Sequence, residues 1–197
     1  INKKIEQIGL TVKKSLKGSG RSVRFVSSKE PSLSSVIVLT NKLIATGGEY
    51  VLIKTTNEVL IGKTQTVQNF KEWSHRDYNR PAVDPKSGML PPKLARMMIN
   101  LSGIDAKDHT LLDPFCGSGT VLMEAALVGF NIIGSDISKR AIADTKKNLA
   151  WMNIHPKNLF VAPAEKLSDH LKERVDVVVT PPPPGNAIAV SVFRGNY

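Results

Sequence analysis

The stretch 111–120 limits what this chain can fold into more than any other, and it reads Leu-Leu-Asp-Pro-Phe-Cys-Gly-Ser-Gly-Thr. Its apolar start predicts a buried strand that ends at Asp113, and Gly117 and Gly119 predict a tight turn. The apolar run 121–128 then predicts a helix. A strand, a glycine turn and a helix in this order open nucleotide-type binding folds, in which the ligand lies at the carboxyl end of the first strand. A glycine there lets the backbone adopt a positive φ and lie against the ligand.

The chain from residue 110 onward alternates between apolar runs and amphipathic runs. Strands that are apolar on both faces and separated by helices predict a parallel sheet with right-handed crossovers, which is an α/β, Rossmann-like fold. The predicted strands are 110–113, 131–136, 159–162 and 175–180, and the predicted helices are 121–128, 141–153 and a short one near 166–174.

The first 65 residues predict a small α+β segment with its own elements. Residues 66–92 show little periodicity and predict an ordered connector, which precedes an amphipathic helix near 94–101. The elements predicted before the connector are a helix at 1–16, a short strand at Val23 and Phe25, a helix that starts at 31–32 and is closed by Gly47 and Gly48, and a hairpin of strands 50–54 and 59–63.

The basic charge of the chain is concentrated in its first half. Residues 1–80 contain 14 Lys and Arg against 6 Asp and Glu, which is +8 of the net charge of +10. Two interpretations remain open from charge alone, a solvated lysine-rich surface and a face that binds a polyanion. Trp73 and Tyr78 lie among Arg76 and Arg80, where they either stack on RNA or pack the connector.

The remaining composition excludes several classes of protein. No run approaches the roughly 18 apolar residues that a membrane span needs. With Cys116 as the single cysteine the sequence has no internal disulfide, which predicts a reducing, cytoplasmic location. The four histidines lack the spacing of metal ligands, so we expect no metal site.

Two acidic residues indicate the kind of cofactor. Asp136 ends the second predicted strand, where a carboxylate accepts hydrogen bonds from ribose hydroxyls and favours an adenosine-containing ligand. A dinucleotide site would have a third glycine at Leu122, and Asp113 before the turn would repel a pyrophosphate. A cationic ligand without phosphate suits Asp113 better. S-adenosylmethionine fits, because it carries a sulfonium and an ammonium.

The motif at 113–120 resembles motif I of the class I S-adenosylmethionine-dependent methyltransferases that modify exocyclic amines, and its spelling is similar to that of the THUMP-containing tRNA guanine-N2 methyltransferases. The sequences Arg-Asp-Tyr-Asn-Arg-Pro at 76–81 and Met-Leu-Pro-Pro-Lys-Leu-Ala at 89–95 resemble the connector and the helix that precede motif I in that family. The resemblance implies a THUMP-type RNA-binding tail at 1–65, a connector at 66–92 and a methyltransferase domain at 93–197. We expect the chain to be a fragment, with the methyltransferase sheet incomplete at its carboxyl end.

The resemblance also implies which residues surround S-adenosylmethionine. Motif I would surround the methionine portion and the adenosine, Asp136 and Ile137 would take the ribose and the adenine edge, and the segment after the third strand would lie beside the adenine. The predicted cofactor-binding residues are Asp113, Pro114, Phe115, Cys116, Gly117, Ser118, Gly119, Thr120, Asp136, Ile137 and Ala164.

The predicted catalytic positions are Thr180, Pro181 and Pro182, after the fourth strand. The family carries an acid or amide there that orients the target amine, and by register Pro181 takes the place of that acid. The resemblance implies methyl transfer to an exocyclic amine of RNA, with guanine N2 of tRNA as the target and the first 80 residues as the contact to tRNA. Two alternatives remain open: an RNA- and cofactor-binding pseudoenzyme that lacks the acid, and a DNA amino-methyltransferase.

Overall fold

The structure is a computed structural model that describes residues 2–30, 32–84, 89–181 and 191–193. The chain divides into two compact units, Ile1–Lys71 and Glu72–Tyr197. No helix in the described residues is long and apolar enough to cross a membrane.

The first unit contains two helices and a β-hairpin. Helix α2 begins after Ser34, whose hydroxyl accepts a hydrogen bond from the Ile37 N–H at 3.3 Å. The hairpin is confirmed at its predicted bounds, and its strands pair antiparallel with Tyr50 opposite Lys63. The elements are α1 (Asn2–Gly18), α2 (Ser35–Thr40), β1 (Tyr50–Lys54) and β2 (Val59–Lys63).

Two predictions for the first unit were wrong. Val23 and Phe25 form no strand, and in the described residues no strand pairs with this segment; the Phe25 ring instead packs over Gly9 of α1, in the space that a side chain would otherwise fill. The helix predicted from 31–32 to Gly47 is shorter in the structure, where it begins at Ser35 and ends at Thr40. The Asn41 side chain donates a hydrogen bond to the Ile37 carbonyl at 2.8 Å, which occupies a carbonyl at the end of α2.

From residue 110 to residue 180 the elements follow the predicted alternation of strands and helices, whereas the helix Phe70–Tyr78, inside the predicted connector, and the strand Ser191–Phe193 were not predicted. Strands β3 and β4 have the predicted bounds, and β5, β6 and the long helices start or end within a few residues of theirs. The elements are α3 (Phe70–Tyr78), α4 (Pro92–Leu101), β3 (Thr110–Asp113), α5 (Thr120–Val128), β4 (Asn131–Asp136), α6 (Lys139–Trp151), β5 (Asn158–Val161), a 3₁₀ helix (Ala164–Asp169), β6 (Val177–Thr180) and β7 (Ser191–Phe193).

The sheet has the order β5-β4-β3-β6-β7 in the described residues. Strands β5, β4, β3 and β6 are parallel, as predicted, and β7 pairs antiparallel with β6. From β3 the chain first builds outward to β4 and β5 and then returns to place β6 on the other side. The strand order therefore reverses at β3, and ligands of open α/β sheets bind at the carboxyl ends of the strands at such a point.

The core of the second unit explains why a leucine replaces the third glycine of a dinucleotide motif. Leu122 of α5 is fully buried and lies over Gly134 of β4, where a β-carbon on Gly134 would overlap the Leu122 side chain. Close approach of the helix to the sheet thus depends on a glycine in the strand instead of one in the helix. Deeply buried apolar side chains in the same cluster as Leu122 include Leu111, Met123, Ile132, Leu149 and Val177.

Candidate functional site

Two carboxylates meet the glycine turn at the carboxyl ends of β3 and β4. Asp113 is 1% exposed, and its Oδ1 accepts a hydrogen bond from the Phe115 N–H at 3.1 Å. Asp136 accepts one from the Gly117 N–H at 3.0 Å and one from the Ser138 N–H at 2.9 Å. The structure therefore brings together the two acids that the sequence placed at neighbouring strand ends.

Burial dominates the electrostatics of Asp113 and raises its pKa to about 7. The Phe115 N–H and the Thr180 hydroxyl lower this pKa, and the nearby Asp136 carboxylate raises it. The Thr180 hydroxyl is close enough for this influence but does not reach hydrogen-bond geometry, since its Oγ1 is buried without a partner in the described residues. Near neutral pH Asp113 is therefore close to its titration midpoint, and a cationic ligand would favour its ionised form.

The glycine turn leaves open space beside these acids. Gly119 has a φ of 86°, and a β-carbon there would lie 2.9 Å from the Thr145 side chain. Glycine is therefore needed both for the backbone conformation and for the space beside Thr145. Around Gly117, with a φ of 53°, no described atom lies within 4 Å of where a β-carbon would be. The backbone at Gly117 can therefore lie directly against a ligand.

Helix α6 holds the turn with two buried polar side chains that the sequence analysis did not single out. Thr145 donates a hydrogen bond to the Gly117 carbonyl at 2.7 Å, and Asn148 donates one to the Ser118 carbonyl at 2.8 Å. Both residues are fully buried. They lie three positions apart, on the same face of the helix as the apolar Ile142. Polar residues on a face that is otherwise buried were the feature of the sequence that could have predicted this role.

Cys116 lies inside the turn as a structural residue. It is 5% exposed, and its Sγ is 3.7 Å from Thr145 Oγ1. Burial, assisted by the charge of Asp113, raises the pKa of the Cys116 thiol to about 12. A thiol that stays protonated at neutral pH is a poor nucleophile, so the side chain fills space in a crowded turn.

The other predicted cofactor-binding residues surround the same edge of the sheet. Pro114 is buried, and its carbonyl accepts a hydrogen bond from Ser135 Oγ at 3.2 Å. Phe115 and Ile137 are 55% and 74% exposed, which leaves two apolar side chains available at the strand ends. Ala164 begins the 3₁₀ helix after β5, the neighbour of β4.

The predicted catalytic positions follow β6. Thr180 ends β6 beside Asp113, and Pro181 comes next, partly buried. Pro182 lies outside the described residues. Asp176 is at the opposite end of the sheet, where its carboxylate accepts a hydrogen bond from the Thr110 N–H at 2.8 Å, so it does not replace the acid missing at Pro181.

Arg80 from the connector reaches the start of α5. Its Nη1 donates a hydrogen bond to Thr120 Oγ1 at 2.6 Å, and the residue is 4% exposed. Burial lowers the pKa of the guanidinium, while Asp77 raises it. In the sequence Arg80 belongs to the connector that carries the family resemblance, and no role at the cofactor was predicted for it.

These groups fit S-adenosylmethionine better than a phosphate-containing nucleotide. Asp113 is a buried acid that a cation would keep ionised, Asp136 has carboxylate oxygens for ribose hydroxyls, and Gly117 leaves the space that a ligand needs. Within the described residues, no group of three or more His, Cys, Asp and Glu side chains could hold a metal ion.

Known proteins similar to this chain are methyltransferases. A tRNA (guanine(10)-N2)-dimethyltransferase of Methanothermobacter thermautotrophicus is 44% identical over 110 residues, 56% of this chain and 31% of that protein. One of Methanocaldococcus jannaschii is 37% identical over 142 residues, 66% of this chain and 40% of that protein. The chain thus spans about a third of the length of these curated relatives. Among solved structures, TrmN from Thermus thermophilus aligns with a TM-score of 0.48 and 21% identity over 81% of this chain and 50% of that chain.

The family model covers the whole candidate site. The model of the family described as "RMKL-like, methyltransferase domain" matches residues 79–192. This range begins just before Arg80 and includes both acids, the glycine turn and Thr180. This is more than half of the chain. The chain therefore belongs to the RMKL-like methyltransferase domain family.

Proposed function

We propose that this protein transfers a methyl group from S-adenosylmethionine to the exocyclic N2 amine of guanine in tRNA. The observation that carries the proposal is the pair of carboxylates, Asp113 and Asp136, held on either side of an open glycine turn. The tRNA target is supported by the names of the two archaeal relatives, both tRNA (guanine(10)-N2)-dimethyltransferases.

Different residues at the carboxyl ends of the strands bind different parts of the cofactor. Asp136 accepts hydrogen bonds from the ribose hydroxyls, and Asp113 supplies the negative charge that faces the cationic methionine portion. The exposed Phe115 and Ile137 offer apolar contacts to the bases. S-adenosylmethionine, when bound, supplies an electrophilic methyl group on a sulfonium, so the protein contributes mainly by positioning the target amine.

The segment after β6 receives that amine. Thr180 Oγ1 is buried and has no hydrogen-bond partner in the described residues, so it is able to accept a bond from an amine. Pro181 offers a carbonyl but no acidic side chain. Losing one acceptor of this kind costs about 2–4 kcal/mol in the barrier, by analogy with an oxyanion-hole donor, so we expect a slow enzyme.

Replacing Asp136 by alanine is expected to weaken S-adenosylmethionine binding about 10- to 100-fold, because two hydrogen bonds to the ribose are lost. Isothermal calorimetry measures this directly on the purified chain. Asp169→Ala is the matched control, because Asp169 is an exposed aspartate at the end of the 3₁₀ helix. Undiminished affinity in Asp136→Ala would remove Asp136 from the site.

Transfer of a labelled methyl group then tests the reaction. Incorporation into tRNA at guanine N2 supports the proposal, and incorporation into duplex DNA in preference to tRNA contradicts it in favour of a DNA amino-methyltransferase. Cofactor binding without any transfer supports the pseudoenzyme, which Pro181 favours among the alternatives.

We further propose that the basic first 80 residues contact the tRNA backbone. Helix α1 exposes Lys3, Lys4, Lys14 and Lys17. Changing Lys14 and Lys17 together to glutamine is expected to lower the affinity for tRNA. The slope of log Kd against log salt is expected to become shallower, by the amount that corresponds to the loss of about two phosphate contacts.

The matched control for this pair is Lys146 and Lys147 of α6, which are also exposed. Filter binding at several salt concentrations compares the two double variants. Equal losses in both would indicate an unspecific effect of charge, and an unchanged salt dependence in the α1 variant would place the tRNA contact elsewhere.

A further inference from the structure

Arg80 is buried with most of its hydrogen-bonding capacity unused. Its side chain is fully buried, and within the described residues its Nη1 is the only nitrogen with a hydrogen-bond partner, the Thr120 hydroxyl. Nε and Nη2 have no hydrogen-bond partner in the described residues. The Asp77 carboxylate lies 3.8 Å from Nη2, beyond hydrogen-bond distance. A buried cation without an adequate partner destabilises a fold, and this indicates a ligand that completes the site.

The guanidinium lies at the amino end of α5, where the helix dipole favours negative charge. Thr120 is the first residue of α5, and the preceding Gly119 provides no side chain to cap the first N–H groups. The uncapped helix end and the two guanidinium nitrogens without a hydrogen-bond partner in the described residues both suit an anion. They lie beside the glycine turn that forms the cofactor site.

The segment that carries Arg80 is fixed against this turn. The Ala82 N–H donates to Asn148 Oδ1 at 2.9 Å, and Asn148 Nδ2 donates to the Ala82 carbonyl at 2.9 Å and to the Ser118 carbonyl at 2.8 Å. Because Asn148 joins the connector and the turn in one buried network, the position of Arg80 is set by the fold.

We propose that Arg80 binds the carboxylate of the methionine portion of S-adenosylmethionine, which rests on the cofactor proposed above. Asp136 is assigned to the ribose and Asp113 to the cationic part, which leaves the carboxylate of the cofactor in need of a cationic partner. An arginine fork matches a carboxylate through two parallel N–H groups. A phosphate of RNA is a poorer candidate, because Arg80 contacts Thr120, at the end of the glycine turn that is assigned to the cofactor.

Replacing Arg80 by methionine separates binding from stability. Without ligand the melting temperature is expected to stay the same or rise, because the change removes a buried cation and keeps much of its volume. Affinity for S-adenosylmethionine is expected to fall about 10- to 100-fold, because charge-assisted hydrogen bonds to the carboxylate are lost. A purely structural arginine would show the reverse pattern.

Calorimetry with S-adenosylmethionine and with its decarboxylated analogue tests the contact itself. The wild type is expected to prefer S-adenosylmethionine by about 10- to 100-fold, and Arg80→Met is expected to bind both compounds equally. Arg80→Gln provides a second variant that retains polarity. Arg174→Met is the matched control, since Arg174 is exposed and pairs with Asp176 at the opposite end of the sheet. It is expected to keep the wild-type preference.

The outcomes distinguish this inference from the proposed function. Equal affinity of the wild type for both compounds, or a preserved preference in Arg80→Met, overturns the role of Arg80 while leaving the cofactor in place. Failure of the wild type to bind either compound overturns both. Unfolding of both Arg80 variants assigns the side chain a structural role and overturns the inference. A melting temperature that free phosphate raises in the wild type, without preference between the two compounds, indicates an inorganic anion site instead.

Discussion

Replacing Glu124 by glutamine is expected to lower the free energy of unfolding by about 3–5 kcal/mol, because it breaks a buried charge cluster that joins three helices. Glu124 of α5 is fully buried. Its Oε1 accepts a hydrogen bond from Arg76 Nε of α3 at 2.6 Å, and its Oε2 accepts one from Arg96 Nη2 of α4 at 2.8 Å. Glutamine keeps the shape but presents an N–H₂ group to one arginine and leaves both without a counter-charge. Urea denaturation followed by circular dichroism measures the loss.

An exposed ion pair in the same unit provides the matched control. Glu173 lies 3.4 Å from Lys157, and both side chains are at least 40% exposed. Glu173→Gln is expected to change the free energy of unfolding by less than about 1 kcal/mol, since solvent screens such pairs. Equal effects of the two substitutions would show that the Glu124 cluster is no more important to stability than a surface pair.

This cluster also shows where the sequence stopped being informative. Helix α3 was not predicted, because residues 66–92 show little helical periodicity. The second half of α3 is held in place by a contact between residues that are distant in sequence, because Arg76 and Glu124 are 48 positions apart. Arg76 also lies over the Trp73 ring at 4.3 Å, so this aromatic packs in the connector, whereas Tyr78 is 77% exposed. A glutamate within the apolar run 121–128 was the local signal for a buried charge partner.

The cofactor edge of the sheet was predictable because local rules agree there. Strands β3 and β4 are apolar on both faces, and positive φ angles at Gly117 and Gly119 match what the turn requires. The acids that end these strands therefore met as predicted. Strand β7 was not predicted, and it pairs antiparallel with β6 across a separation in sequence that no periodicity reveals.

The polar groups behind the turn were harder to predict, since their role depends on neighbours from other elements. Thr145 and Asn148 look like ordinary helix residues until the turn carbonyls and the connector are placed against them. Arg80 likewise belonged to a basic connector in the sequence, and only the structure places its buried side chain beside Thr120. Buried hydrogen bonds between distant segments are a property of the fold and are not encoded in spacing.

Lowering the pH from about 8 to about 6 is expected to weaken S-adenosylmethionine binding about tenfold through Asp113, relative to a variant with asparagine there. Burial raises the pKa of Asp113 to about 7 in the ligand-free protein. A cationic ligand favours the ionised form, so binding below pH 7 requires the carboxyl to release its proton. Asp113→Asn keeps an oxygen for the Phe115 N–H and has no proton to release. Calorimetry in buffers of different ionisation enthalpy measures how many protons are released on binding. Because the amino group of the ligand titrates equally with both proteins, the difference between them reports on Asp113.

The same pKa predicts how the ligand-free fold responds to pH. The folded-state pKa lies above the reference value of 3.8, so the unfolded chain releases the proton of Asp113 at a lower pH than the folded protein does. The contribution of protonated Asp113 to the free energy of unfolding is therefore fully present below about pH 4 and is lost as the pH rises through about 7. Relative to Asp113→Asn, this loss amounts to a change in the free energy of unfolding on the order of 4 kcal/mol. Urea denaturation across this range compares the two proteins. If their stabilities run parallel with pH, Asp113 titrates near its ordinary value, and the charge proposed to face the cofactor is already present in acid.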